Sequence, residues 1–130
     1  MAVGVVAVAA PLFVSSASAA APMYGPEDGK ELHPGIRLVE IGEMHSDIPA
    51  YKSISMIDIV FQPGAVFPET VMMDDMVCFI LAGEFKINKV DQEFIVKESE
   101  TYTCAKGKTD EAENISSVVG IMRISILKPA

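Results

Sequence analysis

Residues 63–85 read PGAVFPETVMMDDMVCFILAGEF and carry the strongest structural signal in the chain. A Pro-Gly turn signal opens the stretch, and Gly83 follows its most apolar run, residues 76–82. That run is too short for a typical helix and is rich in residues that favour strands. The stretch therefore predicts a strand over residues 76–87, with Gly83 as a turn signal and with a solvated turn or bulge at Asp74 and Asp75.

Short apolar or alternating runs of the same kind lie on both sides of this stretch. They are residues 36–41, 53–61, 93–97, 101–104 and 118–127. Turn signals built from Pro, Gly, Asn and Asp separate them, and no longer window shows a helical stripe. Short strands at roughly 8–12 residue spacing are typical of a β-sandwich or barrel. We predict an all-β, single-domain fold, a small antiparallel β-barrel or jelly roll.

The run over residues 76–85 is apolar at nearly every position. A strand of this kind is expected to be covered on both faces. The barrel interior would cover one face, and a second sheet or a second protomer the other. We therefore predict a homodimer that buries part of this sheet.

Composition narrows the classes of partner. The chain has 18 acidic and 10 basic residues in a total of 130, for a formal net charge of -8, and its Lys and Arg residues are scattered. Binding of nucleic acid needs a basic footprint, so nucleic acid is excluded as a partner. Two cysteines are too few for a disulfide framework. We predict that Cys78 and Cys104 are two separate buried thiols.

The N-terminal segment reads as a secretory signal. Residues 2–14 are uncharged and apolar, and the small residues 15–21 follow them. The triplet Ala17-Ser18-Ala19 fits the small-x-small cleavage pattern. We predict a signal peptide over residues 1–19, an irregular arm over residues 20–35, and an exported protein, periplasmic or secreted, with no stable membrane anchor after cleavage. An uncleaved anchor is the alternative, but about 13 apolar residues span only about 20 Å of helix.

The spacing within residues 63–85 resembles the first motif of the cupin superfamily, G-x5-H-x-H-x3-E-x6-G. Gly64 and Gly83 stand at the two glycine positions. Thr70, Met72 and Met76 stand where the family has the metal ligands His, His and Glu. The glycine frame of this motif is therefore present, while all three of its metal ligands are replaced.

A second stretch resembles the other cupin motif, G-x5-P-x-G-x2-H-x3-N. It aligns with Ser99, Ala105, Gly107, Asp110 and Asn114, so that the second glycine and the asparagine match. Asp110 stands where the family has its fourth ligand, a histidine. The resemblance covers residues 36–127 and implies a small antiparallel barrel, often dimeric, with a cavity lined from both motifs.

The replaced ligands favour a cavity without a metal. Imidazole and carboxylate hold divalent ions well, whereas one hydroxyl, two thioethers and one carboxylate do not. We predict no cofactor and no metal. The candidate pocket residues are Thr70, Met72, Met76, Cys78, Tyr102, Cys104, Asp110 and Asn114.

These residues leave two classes of function. The first is a non-catalytic barrel that binds a small apolar molecule or interacts with a partner. The alternative is an unusual cavity site. It is either an enzyme built from Thr70, Asp110, Tyr102 and Cys78, or a copper protein, because the soft sulfur ligands of Met72, Met76 and Cys78 select monovalent copper.

Overall fold

The structure is a computed structural model that describes residues 23–130. The predicted signal peptide, residues 1–19, lies outside the described residues, as do residues 20–22 of the predicted arm. Ten strands make up the described part of the chain. They are β1 (Lys30–His33), β2 (Ile36–His45), β3 (Tyr51–Phe61), β4 (Val66–Val71), β5 (Asp75–Ala82), β6 (Phe85–Lys89), β7 (Gln92–Val96), β8 (Thr101–Cys104), β9 (Thr109–Asn114) and β10 (Gly120–Pro129).

The strands form two sheets with antiparallel pairing throughout. Six strands pair in the order β1-β2-β3-β10-β5-β8, and four pair in the order β4-β9-β6-β7. Residues 23–130 contain no α-helix, and hence none that is long and apolar enough to cross a membrane. The predicted all-β jelly roll is confirmed.

The inner faces of the two sheets pack against each other to form the core. Phe61 of β3 and Phe85 of β6 meet edge to face with ring centroids 4.9 Å apart. Ile36, Ile80 and Ile87 are completely buried around them. Because strand side chains alternate between faces, Phe85 and Ile87 of β6 both point into this core.

Gly83 separates the predicted strand over residues 76–87 into two strands that belong to different sheets. Its φ of 89° is a conformation that other residues rarely adopt, and a Cβ there would lie 2.9 Å from the Cα of Gly120. A side chain at this position would be both strained and blocked. The chain therefore leaves β5 at Gly83 and begins β6 in the opposite sheet.

The sequence prediction missed three strands. Lys30–His33 forms β1 inside the predicted irregular arm, because its backbone pairs with β2. Val66–Val71 forms β4 despite Pro68, and Thr109–Asn114 forms β9 despite its acidic residues. The arm is thus irregular only before residue 30, and the barrel begins earlier than the predicted residue 36.

The arm docks on the outer face of the six-stranded sheet. Tyr24 donates its hydroxyl hydrogen to the carboxylate of Asp58, which is completely buried. Arg123 donates to the same carboxylate through Nε at 2.8 Å and a terminal nitrogen at 2.9 Å. Arg37 donates to the backbone carbonyls of residues 27, 28 and 29. These contacts hold the described part of the arm against the barrel.

Candidate functional site

A cavity of about 230 Å³ is lined by residues of both sheets. Apolar side chains, such as Leu38, Ile57 and Ile124, form most of its walls. Val71 and Met73 line it and are also 51% and 75% exposed, which places the mouth at the end of β4. Seven of the eight predicted pocket residues line this cavity: Thr70, Met72, Met76, Cys78, Tyr102, Cys104 and Asp110.

The strand register brings the sulfur-bearing residues together. Met76 of β5 pairs with Cys104 of β8, and Cys78 pairs with Tyr102 on the same two strands. The regular pleat does not extend back to Met72, which lies between β4 and β5. Met72 reaches the cavity because its backbone N–H and C=O bond to Lys108 and Gly107 of the turn before β9.

Asp110 lies at the centre of the polar contacts in the cavity wall. It pairs with Thr70 across β9 and β4, as expected if the two cupin motifs face each other. The thiol of Cys104 donates to Oδ2 of Asp110 at 2.7 Å. Oδ1 of Asp110 is buried and has no hydrogen-bond partner. The hydroxyl of Thr70 does not donate to this oxygen, because it donates to the carbonyl of Pro68 at 2.6 Å.

Lys89 also contacts Asp110, and the sequence prediction missed this residue. It pairs with Asp110 across β6 and β9, and its ammonium lies 3.5 Å from Oδ2 of Asp110. The same ammonium donates to the backbone carbonyl of Thr103 at 3.1 Å and lies 5.6 Å from the centre of the Tyr102 ring. The alternation of side chains along β6 could have predicted that Lys89 points inward, since Phe85 and Ile87 are completely buried and Lys89 follows on the same face.

The Cys104 thiol and the Tyr102 phenol both have raised pKa values and remain protonated at neutral pH. The neighbouring Cys78 side chain, then burial, then the Asp110 carboxylate raise the pKa of the Cys104 thiol. Burial raises the pKa of Tyr102 well above its usual value, and the nearby Cys78, Cys104 and Asp110 add to the effect. The hydroxyl of Tyr102 donates to Sδ of Met122 at 3.4 Å. Both cysteines are free and buried, as predicted.

Asn114, predicted as a pocket residue, does not line the cavity. Its amide nitrogen donates to the carbonyls of Phe61, Gln62 and Val118, and its oxygen accepts from the N–H and hydroxyl of Ser116. The side chain is completely buried, so all of its hydrogen-bonding capacity is used within the chain. Asn114 therefore joins the segment after β9 to the end of β3.

The cavity does not fit the divalent metal that a cupin resemblance implies. Within residues 23–130, no group of three or more His, Cys, Asp or Glu side chains is arranged to hold a metal ion. Asp110 is the single carboxylate in the cavity wall, and its Oδ2 already bonds a thiol and an ammonium. A divalent cation at Asp110 would lie next to the positive charge of Lys89 and be repelled by it.

Comparisons with known proteins identify the fold. No protein-family model and no curated protein matches the sequence. An RmlC-like cupin from Shewanella frigidimarina is 17% identical with a TM-score of 0.63, over 82% of this chain and 88% of that one. An oxalate oxidase is 16% identical with a TM-score of 0.62, over 80% of this chain and 58% of that one. A protein of unknown function from Streptococcus pyogenes is 15% identical with a TM-score of 0.58, over 73% and 75% of the two chains.

At these identities the structural likeness shows the fold. The chain has the cupin fold, and the prediction drawn from its two sequence motifs is confirmed. One of these neighbours is an enzyme and another has no known function. Since one fold hosts many unrelated functions, the function of this chain has to be argued from its own cavity.

Proposed function

We propose that this cupin-fold chain is an exported barrel that binds a small, largely apolar molecule in its cavity and catalyses no reaction. The observation that carries the proposal is the cavity of about 230 Å³, lined mainly by aliphatic, aromatic and thioether side chains. Apolar cavities of about 150 Å³ stay dry and bind a single aromatic ring. The cavity here is larger and suits one ring with a substituent, or a short aliphatic chain.

The polar groups of the cavity support binding better than catalysis. Neither histidine lines the cavity: His33 packs on Phe67, and His45 is exposed at the end of β2. The thiol of Cys104 donates to the Asp110 carboxylate, which helps to raise its pKa, so this thiol is a poor nucleophile. A few fixed polar groups in an apolar wall are the arrangement expected of a site that orients a ligand.

Export is supported by the apolar run at residues 2–14 and by the small residues that follow it. Mass spectrometry of the protein recovered from its native host tests this part of the proposal. Cleavage after Ala19 gives a chain of residues 20–130. Recovery of the uncleaved chain in the membrane fraction would support the anchor instead.

Binding of toluene tests the main proposal. Its addition is expected to raise the melting midpoint of the purified protein saturably, because a ligand that binds only the folded state stabilises it. Two variants should abolish the rise: Ala112→Leu, which fills the cavity from β9, and Val71→Trp, which blocks the exposed mouth without touching the core. The matched control is Ala50→Leu in an exposed turn. A rise that survives in both cavity variants, or no rise with any one-ring probe, would refute the proposal.

The sulfur content of the cavity supports a second candidate function, binding of monovalent copper. Two thiols and four thioethers line one space: Cys78, Cys104, Met72, Met73, Met76 and Met122. Soft ligands of this kind select monovalent copper, although the thiols would have to lose their protons first. A saturable rise of the melting midpoint with monovalent copper, lost on Met72→Leu or Cys78→Ser, would favour this candidate.

A further inference from the structure

The carboxylate of Asp110 is incompletely satisfied in an otherwise apolar wall. Asp110 is only 6% exposed, yet its Oδ1 has no hydrogen-bond partner. The second oxygen, Oδ2, has two partners, the thiol of Cys104 and the ammonium of Lys89. Buried polar atoms in native proteins are nearly always bonded, and an unpartnered oxygen of an ionised group is more costly than a neutral one. A hydrogen-bond donor to Oδ1 would therefore stabilise this carboxylate.

Within the described part of the chain, no donor lies within hydrogen-bond distance of Oδ1. The hydroxyl of Thr70, its cross-strand neighbour, donates to Pro68, and that of Tyr102 donates to Met122. The other buried atom without a partner is the hydroxyl of Thr109. Adjacent residues of a strand point to opposite faces, so Thr109 lies on the other side of β9 from Asp110. A molecule bound inside the cavity can supply the missing donor.

The charge balance of the cluster selects an uncharged donor. The ammonium of Lys89 lies 3.5 Å from the Asp110 carboxylate, so together they form a neutral pair. A cationic ligand would bring a second positive charge close to Lys89, and an anionic ligand would face the Asp110 carboxylate. A carbonyl or ether oxygen has no hydrogen to donate and would leave Oδ1 unpaired. A hydroxyl group meets all three conditions.

Flexible side chains give such a group access to Oδ1. The oxygen is shielded from water, but Met72 and Met76 line the same cavity. Methionine has three rotatable bonds and readily adapts its shape. Met73 and Val71 at the exposed mouth lead into this part of the wall. A ligand that enters there can displace a thioether with its apolar body while its polar end reaches Asp110.

On the premise that the cavity binds a small apolar molecule, we infer that the ligand class is a neutral alcohol or phenol whose hydroxyl donates to Oδ1 of Asp110. The carboxylate then orients the ligand, and the apolar walls hold its hydrocarbon part. Hydrophobicity alone would rank a hydrocarbon above the corresponding alcohol. The ranking of matched compounds therefore separates this inference from simple cavity filling.

Calorimetric titration of the purified protein with five one-ring probes tests the inference. The probes are toluene, benzyl alcohol, benzaldehyde, benzylamine at neutral pH, and benzoate. Benzyl alcohol is expected to bind at least about tenfold more tightly than toluene or benzaldehyde, because a hydrogen bond to a charged acceptor outweighs the cost of taking one hydroxyl out of water. Benzylamine and benzoate are expected to bind more weakly than benzyl alcohol.

The double variant Lys89→Met/Asp110→Leu removes the neutral pair as a unit. It is expected to lose the preference for benzyl alcohol over toluene. If this variant does not fold, Asp110→Asn replaces it, since the neutral amide is a weaker acceptor and should reduce the preference severalfold. Equal or tighter binding of toluene, benzaldehyde, benzylamine or benzoate to the unmodified chain would overturn the inference and leave the binding barrel intact. Failure of every probe to bind would overturn the proposed function itself.

Discussion

Replacement of Lys89 by methionine tests whether its ammonium balances the charge of the cavity wall. The distance from its Nζ to Oδ2 of Asp110 is 3.5 Å, and the two side chains are 19% and 7% exposed. At an effective dielectric constant of about 20, that separation corresponds to an attraction of about 5 kcal/mol. Loss of one partner leaves the carboxylate buried and unpaired, which typically costs about 3–5 kcal/mol. Because Lys89 is partly exposed, we expect the Lys89→Met variant to lose about 2–4 kcal/mol of unfolding free energy at pH 7.

Urea unfolding followed by far-ultraviolet dichroism measures this loss, provided that the slope of the transition does not change. The control is Lys86→Met on the same strand, since Lys86 pairs with Glu113 at 3.6 Å and both side chains are more than one-third exposed. Exposed pairs of this kind contribute about 1 kcal/mol at most. The double variant Lys89→Met/Asp110→Asn should be more stable than Lys89→Met alone, because it buries no unpaired charge. A Lys89→Met variant as stable as the control, or additive losses in the double variant, would refute the reasoning.

Four further predictions concern pH, backbone strain, metal ions and assembly. The free energy of unfolding should fall as the pH rises above about 9, because Cys104 and Tyr102 ionise near 9.0 and 10.0 in the unfolded chain while their pKa values in the folded chain are raised. Each of these two groups should contribute a fall of about 1.4 kcal/mol per pH unit above its unfolded pKa. Urea midpoints that stay constant between pH 8 and 10.5 would contradict this. Ser99→Gly should add up to about 1 kcal/mol in the same urea assay, because Ser99 has a φ of 71°, a strained conformation for serine. Iron, manganese, nickel and zinc ions should leave the melting midpoint unchanged, and a saturable rise lost on Asp110→Ala would restore a metal site. Light scattering should give about twice the monomer mass, and a monomer at micromolar concentration would exclude the predicted homodimer.

The turn frame of the fold was predictable because its residues are chosen by backbone conformation. Gly64, Gly83 and Gly107 all have φ values above 80°, where glycine is strongly favoured. Ser99 occupies the motif position of another glycine and is the one other residue type with positive φ in residues 23–130. The spacing of such residues can therefore be recognised in a sequence that has none of the motif's metal ligands.

The strands that carry the cavity chemistry were harder to predict. The buried residues of β9 are Asp110, Ala112 and Asn114, which are polar or small. Prediction of a strand from its sequence relies on apolar residues at the inward positions. A strand whose inward residues bind a lysine, line a cavity and join loops lacks that signal. The acidic residues of β9 therefore gave no sign of a strand in the sequence.

The homodimer stays a prediction, but its sequence argument does not carry over to the structure. The sequence argument required a single strand over residues 76–87 with two apolar faces, but this run divides between the two sheets at Gly83. Val77 and Met56 lie in one cross-strand row on the outer face of the six-stranded sheet, and each is more than one-third exposed. The arm covers the neighbouring row at Asp58. A second protomer would therefore have to pack beside the arm, on the row of Val77 and Met56.

The same register explains why the cavity can lack the ligands of a metal site. Asp110 has one cross-strand neighbour on each side, Thr70 of β4 and Lys89 of β6. The ammonium of Lys89 supplies a positive charge beside the carboxylate, so the wall is electrically balanced without a bound ion. Once the charge is balanced, the remaining ligand positions need only to fill space, and flexible thioethers such as Met72 and Met76 do so well. The thioethers at the motif's ligand positions and the inward position of Lys89 are thus both compatible with the binding of a neutral molecule that we propose.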